Sequence, residues 1–120
     1  MARILVVDDS ASALEIAETI LAEAGHQVIG CMDGKHAVQI LGAQAIDLML
    51  TDIYMPDEDG LELIRHTRRL HPETPIVAMS GVTGQRDMLP VARRFGARTT
   101  LYKPFSKTQL LEAVEQAISR

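Results

Sequence analysis

The sequence lacks a second cysteine, a long apolar run and an excess of positive charge. Cys31 is the only cysteine among 120 residues, so no disulfide can form within the chain, and we interpret Cys31 as a small apolar core residue on a strand. No apolar stretch approaches the ~20 residues of a membrane span, and the N-terminus lacks the apolar segment of a secretion signal. We therefore expect a soluble cytoplasmic protein.

The charge balance is acidic. Asp and Glu number 16 against 12 Lys and Arg, which gives a formal net charge of -4. The field of such a protein opposes rather than favours association with a phosphate backbone. Direct binding of nucleic acid is therefore not expected.

The length and composition are those of one folded domain. A chain of 120 residues that is 47% hydrophobic and 23% charged can bury about two-thirds of its unfolded surface around a single core. We find no repeat, no linker and no low-complexity segment, which argues against disorder. Because the chain ends at Arg120, directly after the last predicted helix, we expect residues 1–120 to be a single domain with no output domain in this chain, unless the chain is a piece of a longer protein.

Strand-like and helix-like segments alternate five times, which predicts an α/β fold with a parallel sheet and helices on both faces. Strands are predicted over residues 3–8, 27–31, 46–52, 76–79 and 98–102. The third and fourth helices are predicted over residues 61–70 and 87–95. The fourth is bounded by proline, which is tolerated only in a first turn.

Capping residues predict the ends of the other helices. Ser12 stands three residues before a glutamate in the spacing of a capping box, and Gly25 predicts the end of that helix. Asp33 is the predicted cap of the second helix, and Ser106 begins a further capping box. The buried stripe of the last helix is predicted at Leu110, Leu111, Val114 and Ile118, and the exposed face of the third at Arg65, Arg68 and Arg69.

Acidic residues close two of the predicted strands. Asp8 and Asp9 follow the first apolar run, and Asp52 follows the third. The carboxyl ends of parallel strands border one crevice, so these carboxylates should converge. At ~4 Å two such charges repel by roughly 4 kcal/mol at an effective dielectric near 20, so the cluster calls for a cation. Carboxylate oxygens suit Mg²⁺.

The remaining strand ends add Ser80 with Gly81, and Lys103. A carboxylate can attack phosphorus as a nucleophile, while Mg²⁺, an ammonium and a hydroxyl neutralise the phosphoryl oxygens. Such chemistry rests mostly on positioning and electrostatics, so few residues are needed. The strand ends therefore outline a phosphoryl-transfer site.

Taken together, the motifs of the whole chain resemble the receiver domains of two-component response regulators, the CheY-like family. The resemblance rests on Asp8-Asp9, on Asp52 with Met55-Pro56 and Gly60, on Ser80-Gly81, on Gly96-Ala97 and on Lys103-Pro104-Phe105. It implies a flavodoxin-like (βα)5 fold, doubly wound, with five parallel strands in the order 2-1-3-4-5. It also implies a signalling domain rather than an enzyme, one that catalyses only its own phosphorylation and its slow dephosphorylation.

The resemblance implies a role for each residue of the site. Asp52 would be the phosphoacceptor, Asp9 a direct Mg²⁺ ligand, Asp8 a ligand through water, and the backbone carbonyl of Tyr54 a further ligand. Lys103 would pair with Asp52 at rest, across a cis Lys103-Pro104 bond.

After phosphorylation, Lys103 would bind the phosphoryl group. The Ser80 hydroxyl and the Gly81 amide would hydrogen-bond its oxygens.

The implied partners are a histidine kinase or a histidine phosphotransfer protein, and a downstream protein target. The phosphodonor would dock near Ala11 and Leu14 on the first helix and at Pro104-Phe105. The implied output surface, formed by the fourth helix, fifth strand and fifth helix, carries Arg93, Arg94, Arg98 and Lys107. Phosphorylation-dependent dimerisation remains an open alternative, and the surface charges could equally be solubilising ones.

The sequence departs from the family at the position three residues before the lysine, where most members have an aromatic residue and this chain has Thr100. We hypothesise that Thr100 packs under the Ser80 loop and that Tyr102 is a peripheral contact. Tyr54 and Val82 flank the site as bulky side chains without a general base, which predicts a long-lived phosphoaspartate.

Other polar residues are interpreted as solvated. We expect the loop from Asp57 to Asp59 to be a solvated acidic turn. The four histidines, His26, His36, His66 and His71, are interpreted as surface residues rather than metal ligands.

Three alternative functions have less support in the sequence. A phosphohydrolase of the haloacid dehalogenase type needs Asp-x-Asp on its first strand, whereas Asp8 and Asp9 are adjacent. An adaptor that keeps only the fold would not need the complete set of acids, serine and lysine. A nucleotide-binding protein finds only a weak glycine signal at residues 81–84.

Overall fold

The computed structural model describes residues 1–55, 58–81 and 88–119. The strands are β1 Arg3–Val7, β2 Gln27–Cys31, β3 Leu48–Asp52, β4 Tyr54–Met55, β5 Glu58–Asp59, β6 Ile76–Gly81 and β7 Thr99–Lys103. The helices are α1 Ala11–Glu23, α2 Gly34–Ala43, α3 Gly60–Leu70, α4 Leu89–Phe95 and α5 Lys107–Ile118. No helix in these ranges is long and apolar enough to cross a membrane.

The main sheet has five parallel strands in the order β2-β1-β3-β6-β7. Because β4 and β5 form a separate antiparallel pair of two residues each, this order is 2-1-3-4-5 when the main strands are counted alone. The predicted flavodoxin-like α/β fold is therefore confirmed. Of the segment predicted to be a solvated acidic turn, Glu58 and Asp59 form β5, and Asp57 lies outside the described residues.

Two apolar clusters cover the two faces of the sheet. Successive strand residues point to opposite faces, so Leu5 and Val7 pack with α2, α3 and α4, while Ile4 and Val6 pack with α1 and α5. All five residues of β3 are buried. Burial on both faces explains why the strands are almost uninterrupted apolar runs.

Four predictions about helix ends are confirmed. Gly25 follows α1 with a φ of 97°, a backbone conformation that favours glycine. The Asp33 carboxylate accepts a hydrogen bond of 2.8 Å from the His36 amide at the start of α2. Ser106 and Gln109 form both bonds of a capping box on α5. Pro90 lies in the first turn of α4.

The predicted start of α1 is wrong. The helix begins two residues earlier than predicted, because Ser10, not Ser12, accepts the capping hydrogen bond from the Ala13 amide at 3.3 Å. The Asp8 carboxylate in turn accepts from the Ser10 amide at 3.0 Å. The chain therefore turns directly after β1, and Ser12 lies inside the helix.

The exposure of two predicted surfaces also differs. Ile118 is 38% exposed, whereas Ala113 and Ala117 line the buried face of α5 with Leu110 and Val114. The buried stripe of α5 is therefore rotated towards Ala113 and Ala117, whose small side chains let the helix lie close to the sheet. Arg68 is half-buried rather than exposed, since its guanidinium hydrogen-bonds backbone carbonyls.

Cys31 lies on a strand, at the end of β2, as predicted, but it is half-buried rather than a full member of the core. It packs against the apolar cluster beneath α2. Burial raises the pKa of its thiol to about 11, although a hydrogen bond to the backbone of Asp33 opposes the shift. The thiol is therefore protonated at neutral pH.

Candidate functional site

The acidic residues predicted from the strand ends converge. Val7 pairs with Thr51 across β1 and β3, so the residues that follow them lie side by side at the carboxyl edge. One carboxylate oxygen from each of Asp8, Asp9 and Asp52 lies within 4.8 Å of the others. Asp8 and Asp52 are buried, while Asp9 lies nearer the surface.

Lys103 reaches the same cluster from the opposite edge strand, β7. Its Nζ lies 2.7 Å from Oδ2 of Asp8 and 3.2 Å from Oδ2 of Asp52. The ammonium thus bridges two carboxylates, and its shorter contact is with Asp8 rather than with Asp52. Lys103-Pro104 is a cis peptide bond, as expected.

Backbone amides fix the orientation of the two buried carboxylates. Oδ1 of Asp8 accepts from the Ser10 amide at 3.0 Å, and Oδ1 of Asp52 accepts from the Tyr54 amide at 3.4 Å. Each of these carboxylates therefore has one oxygen on a backbone amide and the other on the Lys103 ammonium. Asp52 is further held because the next residue, Ile53, donates its amide to Met79 in β6 at 3.0 Å.

Burial and charge shift two ionisations in the site. Burial raises the pKa of the Asp52 carboxyl; the charge of Asp8 acts in the same direction, and the Lys103 ammonium opposes both. Burial alone would lower the pKa of Lys103, but its hydrogen bond to Asp8 and the charge of Asp52 outweigh it, so that pKa is raised. Lys103 is therefore charged at neutral pH, and the ionised form of Asp52 is held at a cost.

Gly60 gives the site a feature that the sequence did not explain. A Cβ on this residue would lie 2.5 Å from the carbonyl oxygens of Asp52 and Ile53, and its own amide donates to the Ile53 carbonyl at 3.0 Å. Only glycine allows α3 to begin directly against the end of β3. In the sequence, Gly60 is recognisable only as a glycine within a turn. Its close approach to the carbonyl oxygens of Asp52 and Ile53 depends on the tertiary fold.

Ser80 and Gly81 end β6 at the same edge. They pair with Tyr102 and Lys103 of β7, which places the Ser80 hydroxyl in the row of strand ends between Asp52 and Lys103. Ser80 is buried, and its hydroxyl donates to the Gly81 carbonyl at 3.3 Å. Val82, which was predicted to shield the site, lies outside the described residues, as do Pro56 and Asp57.

The residues that flank the site are largely exposed. Tyr54 is 49% and Tyr102 46% exposed. Thr100 lies beside Ala78 in the sheet, and its hydroxyl accepts from the Arg93 guanidinium at 3.4 Å. Its packing under the Ser80 loop therefore remains a hypothesis.

The four histidines lie apart from the acidic cluster. His36 contacts the Asp33 carboxylate at 2.9 Å, and His26 accepts from the Ala2 amide at 3.2 Å. Of the four histidines, His36 is exposed, while His26, His66 and His71 are half-buried. Neither contact involves a residue of the predicted site.

The donor set fits a small divalent cation. Within residues 1–55, 58–81 and 88–119, Asp8, Asp9 and Asp52 are the one group of three or more acidic, histidine or cysteine side chains close enough to share an ion. All three offer carboxylate oxygens, which Mg²⁺ prefers. Their mutual repulsion is relieved only in part by Lys103.

Comparison with known proteins identifies the family. A model of the response regulator receiver domain matches residues 4–115. The chain belongs to the family of response regulator receiver domains. Members of this family are signalling domains of two-component systems, and they generally bind Mg²⁺ in an acidic pocket of this kind.

Two curated relatives cover almost all of the chain. The transcriptional regulatory protein PdtaR of Mycobacterium tuberculosis is 35% identical over 98% of this chain, which spans 57% of that protein. The chemotaxis protein CheY of Thermotoga maritima is 30% identical, and the match covers 95% of both chains. The chain thus spans just over half of the first relative and nearly all of the second.

Solved structures share the same fold. The crystal structure of NtrX from Brucella abortus in complex with ADP superposes with a TM-score of 0.91 at 33% identity, over 98% of this chain and 26% of that one. A CheY-like receiver domain protein from Methanospirillum hungatei gives a TM-score of 0.91 at 25% identity, over 99% of this chain and 94% of that one.

Proposed function

We propose that Asp52 accepts a phosphoryl group from the phosphohistidine of a histidine kinase or a histidine phosphotransfer protein. The observation that carries the proposal is the convergence of Asp8, Asp9 and Asp52 around one point, with the Lys103 ammonium bonded to two of them. We further propose that residues 1–120 act as one receiver unit that signals through phosphorylation-dependent contacts with a target protein.

In the proposed transfer, a carboxylate oxygen of Asp52 forms a bond to phosphorus as the bond from phosphorus to the imidazole nitrogen breaks. The electron pair of that bond stays on the imidazole. Burial favours the step because a poorly hydrated carboxylate sheds little water when it attacks, and the raised pKa of Asp52 shows how poorly its charge is solvated. The product is an aspartyl phosphate.

Lys103, Ser80 and Gly81 would stabilise the transferred group. The Lys103 ammonium, already 3.2 Å from Asp52, would exchange its carboxylate contact for a phosphoryl oxygen. The Ser80 hydroxyl and the Gly81 amide stand at the neighbouring strand end and would donate hydrogen bonds to the other oxygens. Preorganised donors of this kind stabilise developing negative charge.

Asp8, Asp9, Asp52 and the carbonyl of Tyr54 would hold Mg²⁺. When bound, the ion supplies positive charge that neutralises phosphoryl oxygens and orients the phosphodonor. Asp8 would have to serve both the ion and Lys103, whose Nζ is 2.7 Å away. The Asp8 carboxylate would therefore be shared between Mg²⁺ and the Lys103 ammonium.

Phosphorylation by acetyl phosphate tests the proposal. Incubation with acetyl phosphate and Mg²⁺, followed by intact-mass measurement, should show one added phosphate on the wild type and none on Asp52→Asn. Asp47→Asn, which makes the same chemical change at an exposed residue just before β3, should be phosphorylated like the wild type. Chelation of Mg²⁺ should abolish the modification.

Three outcomes would contradict the proposal. Phosphate on Asp52→Asn would place the acceptor elsewhere, and an unmodified wild type in the presence of Mg²⁺ would instead support an adaptor that keeps only the fold. Continuous release of phosphate from a small ester would favour a hydrolase.

We propose that the phosphodonor docks beside the site, on the first turn of α1 and on Pro104-Phe105. Ala11 is exposed and Leu14 is half-buried, so this turn offers a partly apolar surface next to Asp9. The output surface is proposed on α4, β7 and α5, where Arg93, Arg94, Arg98 and Lys107 are exposed. Broadening of the backbone amide NMR signals of these residues on addition of a phosphodonor or a target protein would test both proposed surfaces.

A further inference from the structure

Helix α3 is seated directly on the strand end that carries Asp52. At Gly60 the first turn of the helix touches the carbonyl oxygens of Asp52 and Ile53, and no Cβ fits between them. The helix then runs for 11 residues, or about 16 Å at 1.5 Å per residue. A displacement of the strand end would therefore move α3 at its first turn.

At the other end of α3, Arg68 ties the helix to its neighbours. Its guanidinium donates hydrogen bonds to the carbonyl oxygens of Pro72, of Thr74 at 3.2 Å and of Gly96 at 3.1 Å. The first two lie on the approach to β6, and the third lies just after α4. One side chain thus joins α3, the entry to β6 and the end of α4.

The turn after α4 is shaped to receive this arginine. Gly96 has a φ of 130°, which favours glycine, and a Cβ there would lie 3.0 Å from Nε of Arg68. Beside it, the Arg65 guanidinium lies over the Phe95 ring, 5.7 Å from its centroid. The contact between α3 and the last turn of α4 is therefore close and polar.

Further arginine bonds continue from α4 to the next elements. Arg93 of α4 donates to the carbonyl of Arg98 at 3.5 Å and to the hydroxyl of Thr100 at 3.4 Å. Arg98 donates to the carbonyl of Ala117 in α5 at 2.7 Å. The hydrogen bonds of Arg68, Arg93 and Arg98 together connect α3, α4, β7 and α5.

We infer that Arg68 is a positioning residue that couples the Asp52 strand end to the C-terminal turn of α4 through helix α3. The inference rests on the proposed phosphorylation of Asp52. Charge-assisted hydrogen bonds to three carbonyls hold their distances more tightly than apolar packing does, so a shift of α3 is passed to Gly96. Arg68 touches neither the acceptor nor the ion, and acts only through α3.

Amide hydrogen exchange distinguishes coupling from a purely structural role. The wild type, Arg68→Met, Arg68→Lys and Arg69→Met are compared with and without acetyl phosphate and Mg²⁺, and each is checked for phosphate by intact mass. The measured quantity is the phosphorylation-induced change in exchange over residues 91–97. Arg69→Met is the matched control, because it removes the same charge at the exposed neighbouring position of α3.

We expect phosphorylation of every variant, with a change at residues 91–97 that is at least about twofold smaller in Arg68→Met than in the wild type. Arg69→Met should match the wild type, and Arg68→Lys, which can reach fewer carbonyls, should fall between. Should Arg68→Met prove unfolded, Arg68→Lys alone decides.

A lysine variant, or a folded methionine variant, that responds like the wild type would overturn the inference. So would a phosphorylated wild type that shows no change at residues 91–97. A wild type that takes up no phosphate would instead refute the proposed function, and the coupling with it.

Discussion

The two ends of the central sheet treat charge in opposite ways. At the carboxyl end, Asp8 and Asp52 are buried against each other and share one ammonium. At the amino end, Arg68 and Arg98 donate to backbone carbonyls, which carry no charge and face the guanidinium with the negative end of a dipole. Charge at the amino end holds elements together, even though burial and the charge of Arg98 lower the pKa of Arg68. At the carboxyl end, two carboxylates repel each other and one ammonium relieves that repulsion only in part.

The comparison shows where the fold gives up stability. Asp52 has a raised pKa because burial disfavours its ionised form. A cation bound by the acidic cluster would relieve this cost, whereas it would have no role at the amino end. A protein commonly accepts such a local cost where its chemistry takes place. The contrast predicts that substitutions at the carboxyl end respond to Mg²⁺ and that those at the amino end do not.

The largest effect is expected for Lys103→Met. Without the ammonium, the carboxylates of Asp8 and Asp52 face each other with side chains that are only 2% and 10% exposed. We expect a loss of about 3 kcal/mol in the free energy of unfolding in chelator, measured by urea denaturation at pH 7. Added Mg²⁺ should restore more stability to this variant than to the wild type.

Two controls sharpen this prediction. Lys107→Met breaks an exposed pair with Glu23 at 3.8 Å and should cost less than about 1 kcal/mol. Arg98→Met, at the amino end, should lose stability equally with and without Mg²⁺. Equal losses for Lys103→Met and Lys107→Met would remove the distinction between the two ends.

A smaller effect is expected for Gly60→Ala, which tests the backbone at the carboxyl end. The added methyl group would lie 2.5 Å from two carbonyl oxygens, so β3 and α3 must separate, at a cost of about 2 kcal/mol. Gly42→Ala in α2 is the matched control, because a Cβ at this position would meet no atom within 4 Å. This substitution should stabilise the protein by about 0.5 kcal/mol. Urea denaturation measures both; an unperturbed Gly60→Ala would contradict the close packing of α3 on β3.

The smallest effect, and the one with the opposite sign, is expected for Asp52→Asn. Since the folded state raises the pKa of Asp52 above its ordinary value of 3.8, the ionised carboxylate costs stability at any pH above that value. Asparagine carries no charge, so the variant should gain about 1 kcal/mol at pH 7 in chelator. The gain should shrink as the pH falls through the folded-state pKa, and vanish below the ordinary one.

Urea denaturation across this pH range, with Asp47→Asn as the control, measures the effect. Added Mg²⁺ should reduce the difference between the wild type and Asp52→Asn, because the ion stabilises the wild type more. A variant less stable than the wild type at pH 7 would show that Asp52 is not under repulsion.

Patterns in the sequence were sufficient to predict an α/β fold with a parallel sheet and the convergence of the acids, whereas the strand order was implied by the family resemblance. Uninterrupted apolar runs predict strands buried on both faces, and parallel strands bring their ends to one edge, so Asp8 and Asp52 had to meet. These conclusions depend on periodicity and on the order of elements, which local sequence determines well. The roles assigned to Ser80 and Gly81 remain predictions.

Other features depend on contacts that local sequence does not encode. The shorter contact of Lys103 with Asp8 is set by the path of a side chain across neighbouring strand ends. Arg68 follows the pattern of an exposed helix face, but the carbonyls that bury it come from residues 72, 74 and 96. Ser10 and Ser12 are equivalent as caps until the turn after Asp8 selects the first.

The state of Cys31 has a practical consequence for experiments on this protein. Its thiol, half-buried and with a pKa of about 11, offers little thiolate to an alkylating reagent at neutral pH. A cysteine introduced at an exposed position would react with a maleimide fluorophore or spin label well before Cys31 does. Single-site labels on α4 or α5 can therefore follow conformational change in a protein that keeps its natural cysteine.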